Sequence, residues 1–197
     1  MIVYPRVVVE RIGKVIGNTR VDQATIQFEC MKPVIEKLAP HSLLDLGCGW
    51  AIIDIFIAQH APVTEIHLVD GTGDGTVEKR SGFKDDTKAW NDVRFGAAIV
   101  RENLGHSVEV FEHFSEPEKI NTQVDLIISC RSWGHHYPIS IYSETVMRCV
   151  KPGGFVITDI RTNTDGLEQL KKMGLEIVEQ IPDKSSKCTR WLLKDMR

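Results

Sequence analysis

The sequence predicts an α/β fold: a doubly wound, mostly parallel seven-stranded sheet with an antiparallel last strand and helices on both faces. Three observations carry this. Short apolar runs suited to buried strands alternate with longer runs of helical periodicity. One of the short runs, Leu43-Leu44-Asp45-Leu46, passes through Gly47-Cys48-Gly49-Trp50-Ala51 into an apolar helical segment ending near Ala58, the strand, glycine turn and helix N-terminus of a nucleotide-binding corner. Two β-rich runs, Leu175 to Ile181 and Cys188 to Lys194, then follow one another as a closing hairpin.

The chain of 197 residues suits one domain, with residues 1–40 as an N-terminal helical cover and 41–197 as the sheet domain. A net charge of −3 with interleaved signs argues against nucleic acid, which would call for a basic face. No apolar run approaches the roughly 18 residues of a membrane span, and the start reads as no signal peptide. The five cysteines are odd in number and form no C-x-x-C pair, so neither zinc nor a disulfide framework is expected. The expectation is a reduced, cytoplasmic protein without a metal.

Taken in order, apolar residues at Val21, Phe28, Met31, Ile35 and Leu38 predict a helix that Pro33 should kink or split, closed by Pro40. It covers either the ligand or one sheet face. Glu65 to Asp70 is the second strand, ending in an acid about 25 residues after Asp45, near the spacing at which a carboxylate reaches ribose. The glycine- and charge-rich stretch from Gly71 to Asp86 leaves the ligand-binding edge as either a flap or a surface loop. Asn91 is read as the N-cap of a helix from about Asp92 to Leu104, with Gly105 as its stop. His106 to Phe111 reads as the third strand and Asp125 to Cys130 as the fourth. A helix over Ile139–Cys149, a fifth strand over Phe155–Asp159 and a helix from Gly166 to Met173 follow.

The run Asp45-x-Gly47-x-Gly49-x-Ala51 resembles the first motif of class I, Rossmann-like S-adenosylmethionine-dependent methyltransferases, with Ala51 in place of the last glycine. Asp70, the fourth strand Val124 to Ser129, and Val150-Lys151-Pro152-Gly153-Gly154-Phe155-Val156 extend the resemblance over roughly residues 40 to 197. It implies S-adenosyl-L-methionine as cofactor, with Asp45, Gly47, Cys48 and Gly49 near its methionine portion. Asp70 and Gly71 would lie at the ribose, and Ser129 at the end of the fourth strand. Glu112 to Ser115 would lie where this family contacts adenine.

The family places acceptor-side groups after the fourth strand, where Arg131-Ser132-Trp133-Gly134-His135-His136-Tyr137-Pro138 stands. Methyl transfer to a hydroxyl needs the acceptor held in line and its proton removed, work suited to a histidine. In an extended loop only one of the pair faces the site, and His136 is favoured over His135. Both histidines alternatively bond backbone around Gly134, and Trp133 and Tyr137 form either an acceptor wall or core. Asp159 would orient a substrate hydroxyl, bind a divalent metal, or pair with Arg161, while Asp125 reads as structural. With Asp159-Ile160-Arg161, the histidine run is similar to sugar O-methyltransferases, so the expected acceptor is a small-molecule or sugar hydroxyl. Ser129-Cys130-Arg131-Ser132 replaces the [ND]-P-P-[YF] motif of amino-methylating nucleic-acid enzymes. Two rival readings are a nicotinamide-dependent oxidoreductase, which Ile52 at the sixth position of G-x-G-x-x-G opposes, and a non-catalytic cofactor-binding subunit.

Overall fold

A computed structural model describes residues 2–3, 18–72, 91–114, 116–183 and 187–197. Helix α1 (Asn18–Leu38) precedes β1 (Ser42–Leu46), α2 (Ile52–His60), β2 (Glu65–Asp70), α3 (Val93–Leu104), β3 (Glu109–Phe114) and β4 (Val124–Ser129). Helix α4 (Ile139–Cys149), β5 (Val150–Arg161), α5 (Gly166–Lys172), β6 (Leu175–Ile181) and β7 (Cys188–Asp195) complete the chain. The seven strands lie in the order β3-β2-β1-β4-β5-β7-β6. The first five are parallel, and β7 runs antiparallel to both β5 and β6.

β1 is buried along its whole length because both sheet faces above it are covered. On one face, Phe28, Met31 and Ile35 of α1 pack with Ile55 of α2, Val100 of α3 and Leu43, Ile66 and Leu126 of the sheet. On the other, Tyr142 and Val146 of α4 and Leu170 of α5 pack with Leu44, Ile127 and Val156. The strand order reverses between β1 and β4, so the carboxyl ends of β1, β2 and β4 open a crevice at the switch point.

Several local expectations are corrected. Of the two outcomes expected at Pro33, a kink or a split, the split does not occur: α1 is one helix of 21 residues. Pro33 and Glu29, whose carbonyl loses its partner to the proline, are both exposed, while the buried residues on either side hold the helix to the core. The third strand starts at Glu109 and not at His106, because Gly105–Ser107 form a 3-10 turn. Glu112 therefore lies within β3, where it pairs with Arg101, and not beyond the strand at the adenine position. β5 begins five residues before Phe155 and outlasts Asp159. Most of the Gly71–Asp86 segment lies outside the described residues.

Candidate active site

The turn after β1 is built on two positive backbone angles, φ +85° at Gly47 and φ +59° at Gly49. Gly47 is required by the protein's own packing: a Cβ there would lie 2.1 Å from Ser132 Oγ. Ala51, in the place of the family's third glycine, also sits in the left-handed region (φ 53°, ψ 30°) as the N-cap of α2, so this substitution carries backbone strain that glycine would avoid.

Asp70 at the end of β2 is buried, and its carboxylate ties the crevice together. Oδ2 accepts from Gly49 N (2.7 Å) and Asn91 Nδ2 (3.3 Å), and Oδ1 accepts from Gly71 N (2.8 Å) and Asn91 N (3.3 Å). Burial raises its pKa against the pull of these four bonds. Asn91 is thus a partner of Asp70, and the N-cap of α3 is Asp92, which accepts from Arg94 N.

A cavity of about 210 Å³ opens over this turn. Its wall comprises Asp45, Gly47, Cys48 and Gly49 of the turn, Trp50 and Ile52 beyond it, Asn91, Cys130, and Arg20, Gln23 and Gln27 of α1. Helix α1 thus packs on the sheet and also contributes residues to the cavity wall. Arg20 lies over the Trp50 ring, 5.0 Å from its centroid. Asp45 is 5% exposed, and its Oδ1 receives no hydrogen bond from any described residue. Beneath it Asp54, the lone polar residue between Ala51 and Ala58, is wholly buried, its carboxyl meeting, among the described residues, only Asp45 and its own backbone N–H. Burial raises Asp54 to about 7. Burial, then the charge of Asp54, also raises Asp45 well above the usual carboxylate range. Burial likewise pushes the Cys48 and Cys130 thiols up, which disfavours their thiolates.

The remaining expected residues lie off this wall. Ser129 Oγ donates to Leu46 O (2.7 Å) and accepts from Trp133 N (2.8 Å), so its hydroxyl joins β1 to the loop after β4. That loop is a tight turn, contrary to the extended segment expected. The amides of His135, His136 and Tyr137 all bond Ser132 O, and the residue that organises the turn is the one resting on Gly47. Consequently the two histidine rings meet edge to face, 4.7 Å apart, rather than pointing opposite ways. His135 is 6% exposed, its Nδ1 unbonded among the described residues. Burial, then the neighbouring His136, lowers it to about 4, so it is neutral at physiological pH. His136 is half-buried. Trp133 is core, with Nε1 donating to Ile139 O (2.9 Å), and Tyr137 is buried.

Asp159 pairs with Arg190 and not Arg161. The two face each other across β5 and β7, are wholly buried, and form a bidentate pair at 2.7 and 2.9 Å. Arg131 N also donates to Asp159 Oδ2, and Arg190 reaches Gln27 of α1. Arg161 Nε instead bonds His135 O. Asp159, Asp183 and Cys188 bring oxygen and sulfur atoms within 4.8 Å of one another. Arg190 on Asp159, and Arg131 at 3.9 Å from Asp183, already supply positive charge there. Asp125 is structural as expected, bonding His41 N, Ser42 N and Lys151 at the opposite edge of the sheet.

Sequence reasoning passed over Asp54 and Arg190. A lone acid within an apolar helix was a visible signal for the first; nothing in the order of residues linked the second to Asp159.

No family model and no curated relative matches the chain. Among solved structures it is similar to the N-methyltransferase NodS from Bradyrhizobium japonicum WM9, in complex with S-adenosyl-L-homocysteine. That match has a TM-score of 0.62 and 12% identity, over 96% of this chain and 97% of that one. It is also similar to the magnesium protoporphyrin IX methyltransferase ChlM from Synechocystis PCC 6803 with bound S-adenosylmethionine. There the TM-score is 0.62 and the identity 14%, over 92% and 85% of the two chains. The fibrillarin pre-rRNA processing protein of Methanococcus jannaschii matches with a TM-score of 0.54 and 12% identity, over 80% and 67%. With this sheet order and the glycine turn at its switch point, the chain has the class I, Rossmann-like fold of S-adenosylmethionine-dependent methyltransferases.

Proposed function

We propose that this protein is an S-adenosylmethionine-dependent methyltransferase whose acceptor is a small-molecule or sugar hydroxyl. The observation that carries the cofactor reading is the cavity over Gly47–Gly49, with the buried, uncompensated Asp45 carboxyl in its wall. Such a carboxyl suits a ligand cation. Gly49 leaves room for close approach, since a Cβ there would meet no atom nearer than 3.7 Å. Asp70 would exchange its two long Asn91 contacts for ribose hydroxyls while keeping Gly49 and Gly71. When bound, the cofactor supplies the activated methyl group and its leaving group. The protein's part is to bind, to align the acceptor and to move its proton.

His136 is the proposed base. Its turn is seated on the glycine turn through Ser132, which couples the proton acceptor to the cofactor cradle. His135, neutral and buried against it, and Arg161 on the His135 carbonyl hold that turn in place. The similar structures are named for N-methyl transfer, magnesium protoporphyrin IX methylation and pre-rRNA processing, so the acceptor class rests on this chain's own histidines and its mildly acidic charge.

Calorimetric titration with S-adenosylmethionine, S-adenosylhomocysteine and NAD, on wild type and Asp70→Ala, tests the reading. Binding of the first two is expected, weakened by the substitution by about 1–3 kcal/mol for lost charged hydrogen bonds. Binding of NAD alone would make this an oxidoreductase. With a panel of hydroxylated acceptors, His136→Ala should lower turnover about 10²-fold and leave S-adenosylhomocysteine affinity unchanged; undiminished turnover would remove the base assignment.

A further inference from the structure

We propose that Asp54 is a positioning residue of the cofactor cavity: it shares one proton with Asp45 in the free protein, and a cationic group of the ligand arriving at Asp45 expels that proton to solvent. The proposal rests on the methyltransferase reading above, and it concerns a residue outside the glycine-turn motif.

The two carboxyls lie within hydrogen-bond reach of each other, one in the cavity wall and one behind it. Asp45 forms part of that wall and Asp54 stands beneath, on the first turn of α2. Asp45 Oδ1 and both oxygens of Asp54 are removed from solvent and receive no bond from any other described residue. Two ionised carboxylates cannot share such a place, and one proton between them satisfies both. The groups that act on the pair are themselves acids or neutral thiols: Asp70 from β2, Cys48 from the turn and Cys130 from the end of β4. Beyond Cys130, Arg190 is held by Asp159, and Arg20, on the same cavity wall, lies over Trp50. A neutralising charge is therefore best supplied by the proton or by the ligand. The ligand cation and the proton compete for one site, and charge balances: protonated pair plus cationic ligand gives the ionised pair, the complex and one hydron in the buffer. Burial, which brings Asp54 to about 7, puts this exchange in the physiological range.

The test is calorimetric titration of the full chain with S-adenosylmethionine and with S-adenosylhomocysteine. It is run between about pH 5.5 and about pH 7 in buffers of differing ionisation enthalpy, which reads the protons released per ligand bound. The expected release is roughly 0.5–1 proton near pH 6 and smaller at about pH 7, with affinity rising up to about 10-fold per pH unit below the transition. Asp54→Asn and Asp54→Ser should still bind and release less than about 0.2 proton. Release with both ligands assigns the displacing cation to the ammonium they share; release with S-adenosylmethionine alone assigns it to the sulfonium. Either supports the proposal. Binding without release in wild type, or unchanged release in both Asp54 variants, overturns it and leaves the methyltransferase reading in place. Failure of both ligands to bind at any pH overturns that reading, and this one with it.

Discussion

Asp159 on β5 and the Asp45–Asp54 pair beside β1 are buried acids at the same edge of one sheet, built in opposite ways. Asp159 has a guanidinium on both oxygens and a further backbone donor from Arg131. Its partner Arg190 also reaches α1 through Gln27, so the pair links the last strand, the fifth strand and the roof of the cavity. Asp45 and Asp54 have no cation beside them among the described residues; Asp45 lines that cavity and Asp54 lies behind it. A buried charge that is fully compensated has no capacity left for a ligand; one that is not compensated holds a proton until something replaces it. The difference separates an acid whose charge is compensated within the protein from acids whose charge is not, and it gives Asp159 the partner Arg190 in place of the expected Arg161.

Breaking the compensated side should have the largest effect. Arg190→Met leaves Asp159 buried without its cation and is expected to cost about 3–5 kcal/mol in urea unfolding. A loss below about 1 kcal/mol would mean that solvent reaches Asp159 and that the contrast is weaker than drawn. On the uncompensated side the sign reverses. Asp54 has a folded pKa raised from 3.8 to about 7, so the stability of its neutral form is fully present below about pH 4 and is lost as pH rises through about 7. Asp54→Asn cannot ionise. It should equal wild type near pH 4 and exceed it by about 2–4 kcal/mol at pH 8, as denaturation at a series of pH values would show; a pH-independent difference would deny the shared proton. Asp45→Asn and Asp54→Asn should be non-additive by about 1 kcal/mol in a double-mutant cycle at neutral pH, whereas additivity would separate the two carboxyls. The smallest effect belongs to Ala51→Gly. Relief of left-handed strain worth about 1–2 kcal/mol is offset by added chain entropy of about 0.4–1 and a lost buried methyl of about 0.8 kcal/mol. Thermal unfolding should shift by no more than about 0.8 kcal/mol; a large loss would mean that the Ala51 methyl, and not its backbone, matters to the turn.

How much could be read in advance differs from element to element for physical reasons. β2, β6 and α4 were legible to the residue, because each is a patterned run closed by local signals. β3 was misplaced by three residues, since Gly105–Ser107 can begin a strand or close a 3-10 turn and pairing with β2 decides between them. Pro33 has a strong local preference that burial of the α1 face overrides. That Asp45, Gly47, Cys48 and Gly49 come together was legible, because one short segment joins them, and they line the cavity. The partners of Asp70, Ser129 and Asp159 were not. Asn91 meets Asp70 across 21 residues and Arg190 meets Asp159 across 31, and residue order does not encode which distant groups meet.

The sequence by itself determined the layer order, the position of the glycine turn and the acid that ends β2, since these follow from local periodicity and the conformational freedom of glycine. Tertiary structure alone decided which acids are compensated, that the two histidines share one turn seated on Gly47, and that α1 roofs the cavity. Those outcomes depend on desolvation and on contacts between strands and loops distant in the chain, and a carboxylate acquires its chemical character from its surroundings once the chain has closed around it.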